Sequence, residues 1–325
     1  MPQNTETRLG GATFDRNRRF GVEMECYGVR QDVVAEELRN AGIMCHIEGY
    51  NHETRAHWKI VVDGSIQGAN PFELVSPPMR GDEGLETIKK VCAVLNRLGV
   101  KVNRSTGLHV HHEASDLTAD HIKAVLTFYW KYEDVLEYFL PPSRRNNFYA
   151  QPAFPRGGAC GYAYSHSPDP VTGWRRALDQ FTRRDQIRQF MTSERYAVVN
   201  LAALPRHGTL EFRQHGGTVN ADKIIAWVAL TQWMLTRAKA KGCRVAARMV
   251  GRWAEKAMFF WKAIDWINLS DPVIINAKNT LNERFKYFKE LASDGRRVNG
   301  SVDPRTGRPR IDTTVAQLDM EGEAN

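Results

Sequence analysis

The stretch Gly107–Ser115 concentrates side chains that can bind a metal ion or move a proton. It reads GLHVHHEAS, with three histidines and a glutamate within five positions. Successive side chains of a β-strand point to opposite faces, so His109, His111 and Glu113 would share one face of a strand here. His112 would fall on the other face with apolar neighbours. We therefore expect an apolar face and a face able to hold a metal.

Three other predicted strands repeat this alternation. In FGVEMEC, PFELVS and GTLEFRQH, charged residues alternate with apolar ones. The residues of these polar faces are Glu23 and Glu25, about 7 Å apart by strand geometry, then Glu73, and then Glu211, Arg213 and His215. Any single strand of this kind is typical of an antiparallel sheet with a solvated face. A face composed of carboxylates and imidazoles, however, repels itself unless cations lie among them. The collective pattern favours a metal site.

The chemistry of this face indicates a hard divalent ion. Carboxylates outnumber imidazoles and no cysteine shares the face, which favours Mg²⁺ or Mn²⁺ over zinc. The alternate positions of the face are Glu23, Glu25, Glu73, His109, His111, Glu113, Glu211 and Arg213, and of the histidines we expect His109 and His111 to be functional. We expect His112 to be a hydrogen-bonded core residue and Glu113 to be exposed to solvent. His215 precedes two glycines, so it either belongs to the polar face or lies in a turn.

Helices are predicted between these strands. Apolar residues at helical spacing mark DEGLETIKKVCAVLNRLG and the segment from Thr118 to about Phe139, which two prolines end. RYAVVNLAAL and GTLEFRQH are predicted to form a hairpin around the turn Pro205–Gly208. Mostly helical sequence follows from about Asn220 to Leu291.

The 325 residues, 42% of them hydrophobic, are sufficient for one large domain or two ordinary ones. We interpret residues 1–18 as a flexible lead, residues 19–293 as the catalytic domain and residues 294–325 as a flexible tail. Within the domain, the Pro- and Gly-rich segment 141–173 is too long for an ordinary connection and is typical of a lid, whereas residues 220–293 are helical.

The net charge and the composition indicate the class of binding partner and the cellular compartment. A net charge of +8, spread over scattered arginines, indicates an anionic partner without choosing between a polymer and a nucleotide. No apolar run is long enough to span a membrane and the start lacks a signal peptide, so a cytoplasmic protein is expected. Five scattered cysteines without a CxxC pair argue against disulfides and zinc ribbons.

The order of these motifs resembles a known family. FGVEMECYG, VDGS, FELVSPP, GLHVHH, RYAVVNL and TLEFRQHGGT, between about Arg19 and Thr218, are similar to the motifs of the amidoligase family, within the carboxylate-amine ligase superfamily of glutamine synthetase and glutamate-cysteine ligase. The resemblance implies an α+β fold with a mainly antiparallel sheet of the glutamine synthetase-like catalytic type. Helices would cover one face, and the other, concave face would hold ATP with two or three Mg²⁺ or Mn²⁺ ions. The helical C-terminal part matches no motif of the family.

The resemblance also implies roles for individual residues. Glu23 and Glu25 correspond to the paired metal carboxylates of the first strand, and His109 corresponds to the metal histidine. Glu211 matches the glutamate of the late ExR pair, which binds metal. Glu73 resembles a further metal ligand.

Phosphate would be bound by a histidine and several arginines. By resemblance, His111 lies near the nucleotide and Arg213 reaches the transferred phosphoryl group. Arg144, Arg145 and Arg195 are further candidates for clamping phosphate or the carboxylate substrate, because a guanidinium group matches both. The predicted catalytic residues are Glu25, Arg195 and Arg213, and the predicted nucleotide-binding residues are His111, Arg144, Arg145 and Arg213.

The function implied is ATP-dependent ligation of a carboxylate, in a small molecule or a peptide, to an amine through an acyl phosphate. The absence of a GxxxxGK[ST] loop from the sequence agrees with this non-P-loop class. Two alternatives stay open. A metal-dependent phosphoesterase or other hydrolase would use the same face to activate water. A basic nucleic-acid-binding protein would use it only as buried polar structure, and we consider nucleic acid an unlikely partner.

Overall fold

Seven strands form one sheet with a long central strand. A computed structural model describes residues 14–144, 147–151, 176–191, 196–241, 257–258, 260–261, 271–293, 297–302 and 309–311. The strands are β1 (Phe20–Cys26), β2 (Cys45–Ile47), β3 (Trp58–Val61), β4 (Phe72–Val75), β5 (Gly107–Glu113), β6 (Val199–Asn200) and β7 (Thr209–Gly216). Their order across the sheet is β2-β3-β4-β1-β5-β7-β6. The β2–β3 pairing is parallel, and the other pairings along this order are antiparallel.

Five α-helices lie between strands of this sheet in the described chain, and two longer ones follow its last strand. They are α1 (Gln31–Asn40), α2 (Gly81–Arg97), α3 (Ala119–Leu136), α4 (Arg184–Phe190), α5 (Ala203–His207), α6 (Ala221–Lys241) and α7 (Pro272–Ser293). The α+β class is therefore confirmed. Two short strands, β8 (Arg297–Val302) and β9 (Pro309–Ile311), pair within the segment predicted to be a tail. No helix in the described ranges combines the length and the apolar content needed to cross a bilayer.

One face of the sheet packs against helices. Val22, Val110 and Phe212, from three neighbouring strands, are fully buried, and α6 contacts β5 while α2 and α3 contact α6. Burying each such side chain contributes about 1.5–3 kcal/mol, and a one-residue slip would move it to the other face. His112 lies on this face as predicted, with Nε2 2.8 Å from Thr231 Oγ1 of α6. The packed face therefore fixes which side chains reach the opposite one.

A bulge interrupts β7 beside its contact with β5. Leu108 pairs with His215 and Val110 pairs with Phe212, so two residues of β7 lie opposite one residue of β5. Beyond the bulge, His215 turns toward the helices, and its ring centroid lies 5.3 Å from that of Trp227. Simple alternation places His215 on the polar face, and that prediction is wrong because the bulge reverses the side on which His215 projects.

The connection between β6 and β7 differs from the predicted hairpin. The predicted strand continued to Leu204, whereas β6 ends at Asn200 and a short helix, α5, follows. Asn200 Oδ1 accepts a hydrogen bond from the Ala202 N–H at 2.8 Å, which turns the chain out of the strand. Gly208, with φ of 67°, ends α5 and starts β7. The two strands still pair antiparallel.

Candidate functional site

The polar face of the sheet is the floor of a cavity of about 900 Å³, a size typical of small-molecule sites. Side chains of β1, β4, β5 and β7 form the floor. The loop 48–57 between β2 and β3, together with α5, forms walls, and Tyr149 and Tyr196 lie at the rim. Thr54 Oγ1 of this loop is 3.1 Å from His207 Nδ1 of α5. Because β3 and β6 lie toward opposite edges of the sheet, the loop crosses above the floor.

The centre of the floor is a contact between His109 of β5 and carboxylates from the two strands that flank it, β1 and β7. His109 Nδ1 lies 2.9 Å from Glu23 Oε2 and 3.7 Å from Glu211 Oε1. On the other side of the ring, Nε2 lies 3.4 Å from Glu25 Oε1. Strand register explains the arrangement, since Glu23 is paired with His109 across β1 and β5. His109, Glu25 and Glu211 are each no more than 6% exposed.

Two overlapping groups of these residues could each hold a metal ion. Glu23, His109 and Glu211 form one, and Glu25, Glu73 and His109 form the other; within each group the candidate ligand atoms lie within 4.8 Å of one another. Four carboxylates are hard donors that suit Mg²⁺ or Mn²⁺, and Mn²⁺ also accepts the one imidazole. The structure thus brings together all five residues that the sequence suggested as metal ligands. That they bind metal stays a prediction.

Neighbouring groups fix the orientation of these carboxylates. Asn200 donates from Nδ2 to Glu211 Oε2 at 2.6 Å, which leaves Oε1 directed at the histidines. The backbone N–H of Gly107 donates to Glu25 Oε2 at 2.6 Å. Such supporting hydrogen bonds hold ligands in place before an ion binds.

Burial raises the pKa of Glu73 well above its ordinary value, and the charges of Glu23, Glu25 and Asp63 raise it further. Burial also acts to raise the pKa of Glu23, but nearby His111 and the hydrogen bonds to the histidines hold this pKa well below its ordinary value. The pKa values of two neighbouring carboxyl groups of the floor are therefore displaced in opposite directions. A cation would relieve this repulsion.

His111 and Arg213 supply positive charge beside the carboxylates. His111 Nε2 lies 3.2 Å from Glu23 Oε1, and Arg213 Nη1 forms an ion pair with Glu211. Burial lowers the pKa of His111, but the charges of Glu211 and Glu23 raise it above its ordinary value. Among the described residues, neither His111 Nε2 nor Arg213 Nε has a hydrogen-bond partner of good geometry. Both side chains line the cavity and retain donor capacity for an anionic group.

The other predicted phosphate-binding arginines differ in position. Arg144 is buried and donates to the carbonyl oxygens of Arg213 (2.7 Å) and Gln214 (3.3 Å), the two bulge residues of β7. Burial lowers the pKa of Arg144 to about 10. The hydrogen bonds of Arg144 therefore stabilise the bulge that contains Arg213. Arg145 and Arg195 lie outside the described residues, as do positions 152–173 of the predicted lid.

Glu113, expected to be exposed, lies at the cavity rim. Its side chain is 28% exposed and its Oε1 is 2.8 Å from Arg19 Nη2. This ion pair lowers the pKa of Glu113 below its ordinary value, with Arg19 as the main cause. Glu113 thus sits between the floor and solvent.

Sequence reasoning missed three residues of the site. Asn200 lies within the motif RYAVVNL and opposite Glu211 in the register, so motif and pairing together could have identified it. Lys59 alternates with apolar residues in β3, but its ammonium group turns to the loop 48–57, where it donates to Asn51 Oδ1 at 2.7 Å. His207 lies on α5, which the sequence pattern did not predict, so no periodic feature pointed to it.

Comparisons with known proteins include a match to a family model. The model of a family described as "Putative amidoligase enzyme" matches residues 16–235, more than half of the chain. A search of curated proteins found no match. Among solved structures, the chain is similar to a bifunctional glutathione synthetase from Pasteurella multocida, with a TM-score of 0.39 and 13% sequence identity. That alignment covers 94% of this chain and 52% of the synthetase, so the chain spans about half of the synthetase's length.

Proposed function

The chain belongs to the amidoligase family, and on that premise we propose that it is an ATP-dependent carboxylate-amine ligase. It would convert a carboxylic acid to an acyl phosphate and transfer the acyl group to an amine, releasing ADP and phosphate. A carboxylate is a poor electrophile, so amide formation in water needs such activation. Phosphoryl transfer depends mainly on positioning and charge neutralisation.

The observation that carries this proposal is the convergence of Glu23, Glu25, Glu73, His109 and Glu211 on one cavity floor. These residues come from four strands that are far apart in the chain, and they form two groups with closely spaced ligand atoms. A purely structural polar face would not need four carboxylates at such spacing, because like charges side by side destabilise a sheet. The donor set fits Mg²⁺ or Mn²⁺.

Divalent ions at this face would neutralise the phosphate oxygens of ATP during the transfer. The residues of the chain have complementary tasks. Arg213 would contact the transferred phosphoryl group, since its side chain lines the cavity. His111 would bind the nucleotide phosphates. Gly107 and Asn200 would hold Glu25 and Glu211 in the geometry described above.

Amide formation also requires the exclusion of water, because an acyl phosphate hydrolyses readily. The loop 48–57, anchored by Lys59 and touching α5, covers part of the floor. We extend the proposal to the domain limits: residues 19–293 form the catalytic domain, of the glutamine synthetase-like type, and residues 141–173 form its lid.

The test is ADP release with Mg²⁺ or Mn²⁺ across a panel of acids and amines. Suitable acids are free amino acids, their N-acetyl derivatives, dicarboxylates and dipeptides; suitable amines are ammonia, amino acids and polyamines. We expect ADP release that requires both reactants and is lost in Glu25→Gln and His109→Ala. Glu36→Gln, at an exposed position of α1, is the matched control. Turnover that persists in both site variants, or that needs no amine acceptor, would contradict the proposal.

A further inference from the structure

His207 lies beside the carboxylate cluster without belonging to it. The residue ends α5 and lines the cavity. Its ring centroid is 6.0 Å from that of His111 in an edge-to-face arrangement. Neither of the two groups of candidate metal ligands includes His207. Its imidazole is therefore next to the region of phosphoryl transfer but is not committed to an ion.

The two ring nitrogens of His207 have different surroundings. Nδ1 lies 3.1 Å from Thr54 Oγ1 of the loop 48–57, whereas no hydrogen bond from Nε2 to any described residue is present. When Nδ1 carries the hydrogen and donates it to the threonine oxygen, Nε2 keeps its lone pair and can accept a proton. The contact with Thr54 thus orients the ring, and the threonine oxygen can accept the hydrogen of the tautomer that a base requires.

The environment keeps this imidazole neutral. Burial lowers the pKa of His207 below its ordinary value, and the proximity of His111 lowers it further. The charged and titratable groups facing the ring from the neighbouring strands and from α5 are Glu23, His111, Glu211 and Arg206. On the loop, Glu53 next to Thr54 is paired with Arg55 at 2.6 Å. A neutral imidazole near neutral pH is the form that a general base requires.

Other basic side chains of the cavity are already engaged. His109 and His111 contact carboxylates, His57 Nε2 lies 2.9 Å from Glu48 Oε1, and Lys59 donates to the loop. A ligase needs a base nonetheless, because a protonated amine has no free lone pair and must lose a proton before it can attack an acyl carbon.

We propose that His207 is this base and that Thr54 is its positioning residue. The inference rests on the proposed ligase function. His207 Nε2 takes one proton from the protonated amine and passes it to solvent, which frees the nitrogen lone pair. As the amine nitrogen forms its bond to the acyl carbon, the carbon–oxygen bond to phosphate breaks and phosphate leaves with the bonding pair. The departing phosphate takes up the second proton that the nitrogen loses as the amide forms. The substrate class that this implies is an amine that is protonated in solution and binds at the α5 side of the cavity.

Hydroxylamine separates activation of the acid from deprotonation of the amine. It is weakly basic and largely unprotonated at neutral pH, so its attack on an acyl phosphate depends far less on a base. Each acid of the panel would be incubated with ATP and Mg²⁺, and with hydroxylamine or with ammonium chloride, glycine or putrescine. In His207→Gln we expect amide formation to fall by about 100-fold, the lower range for general base catalysis, while hydroxamate formation changes little.

Variants of Thr54 and of a control histidine test the proposed role of His207 further. Thr54→Val should lose part of the amide formation and Thr54→Ser should restore it, because serine keeps the oxygen. His46→Gln, at an exposed histidine of β2 outside the cavity lining, is the control and should keep both activities. In His207→Gln, amide formation should rise with pH only as the free amine loses its proton, and the part of the ascending limb that reflects His207 should be absent.

Each outcome decides between the two proposals. Hydroxamate without amide in His207→Gln supports the base. Equal loss of both products, or retention of amide formation, overturns it while leaving the ligase intact. If the unaltered protein forms neither product with any acid, the ligase proposal fails and this inference fails with it. A readout independent of turnover is the ¹⁵N NMR spectrum of the His207 ring: the Nδ1–H tautomer is expected, and the Nε2–H tautomer would contradict the inference.

Discussion

Glu25 and Glu73 lie directly opposite each other on the antiparallel strands β1 and β4. Both side chains also approach His109, with candidate ligand atoms within 4.8 Å. Two carboxylates in this position destabilise the sheet if both are charged. Burial and the charges of neighbouring carboxylates accordingly raise the pKa of Glu73. The fold thus maintains an unfavourable pair that a cation would stabilise, as is typical of functional sites.

Removing the charge at position 73 should stabilise the metal-free protein. A carboxyl group with a raised pKa binds more protons in the folded state, so its contribution to stability falls as the pH rises above its unfolded-state pKa. We expect Glu73→Gln to raise the free energy of unfolding by about 1 kcal/mol near pH 8, roughly 3 °C in Tm, with a smaller difference below pH ~4. Thermal melts in EDTA would measure this. An unchanged or lower Tm, with Glu36→Gln as control, would show that the pair carries no strain.

Metal binding should be linked to proton release. Mg²⁺ and Mn²⁺ bind the ionised carboxylate, so Glu73, whose pKa is raised, must lose its proton when an ion binds. We expect the affinity for Mn²⁺ to increase with pH through the range above the ordinary carboxyl pKa. Calorimetry in buffers of different ionisation enthalpy would count the protons released, and Glu73→Gln should release fewer. A Kd independent of pH would contradict the assignment of Glu73 as a ligand.

Asn200 should control metal affinity through Glu211. Its amide donates to Glu211 Oε2 at 2.6 Å, and losing such a supporting bond typically weakens metal binding 10–100-fold. We expect Asn200→Ala to raise the Kd for Mn²⁺ by about tenfold with the fold retained. Asn40→Ala is the matched control, since Asn40 donates to an exposed glutamate, Glu37, at 3.2 Å on α1. Equal affinities for Mn²⁺ in the two variants would show that Asn200 does not support a metal site.

Lys59 should hold the loop 48–57 over the floor. Its ammonium group donates to Asn51 Oδ1 and to the Glu53 carbonyl oxygen, each at 2.7 Å. Lys59→Met keeps most of the apolar stem and removes these bonds. Faster amide hydrogen exchange is expected in residues 48–57, compared with Lys89→Met at an exposed position of α2. Exchange that does not change would mean that other contacts fix the loop.

Sequence pattern alone predicted the strands that carry the site. Glu23, Glu25, His109 and Glu211 alternate with apolar residues that the helices bury, and burial of one face sets the direction of every alternate side chain. This rule needs no knowledge of partner strands. It therefore places the polar residues on a common side wherever the strands are regular.

The sequence-based predictions fail where the position of a residue depends on another segment of the chain. His215 leaves the polar face because of a bulge between β5 and β7, and a bulge is a property of the pair of strands and not of either one. His207 reaches the cavity through α5, a helix of five residues, too short to show a period. Lys59 is directed by a loop that folds back over it. The alternation of polar and apolar residues along one strand does not predict such interactions.

The most direct measurement of the proposed chemistry follows an oxygen atom. An acid from the panel, labelled with ¹⁸O in its carboxylate, would be incubated with ATP, Mg²⁺ and amine, and the released phosphate analysed by mass spectrometry. An acyl phosphate transfers one carboxylate oxygen to phosphate, so we expect one ¹⁸O in the phosphate for each amide formed. Unlabelled phosphate formed together with amide, or phosphate whose added oxygen comes from solvent water, would contradict ligation through an acyl phosphate.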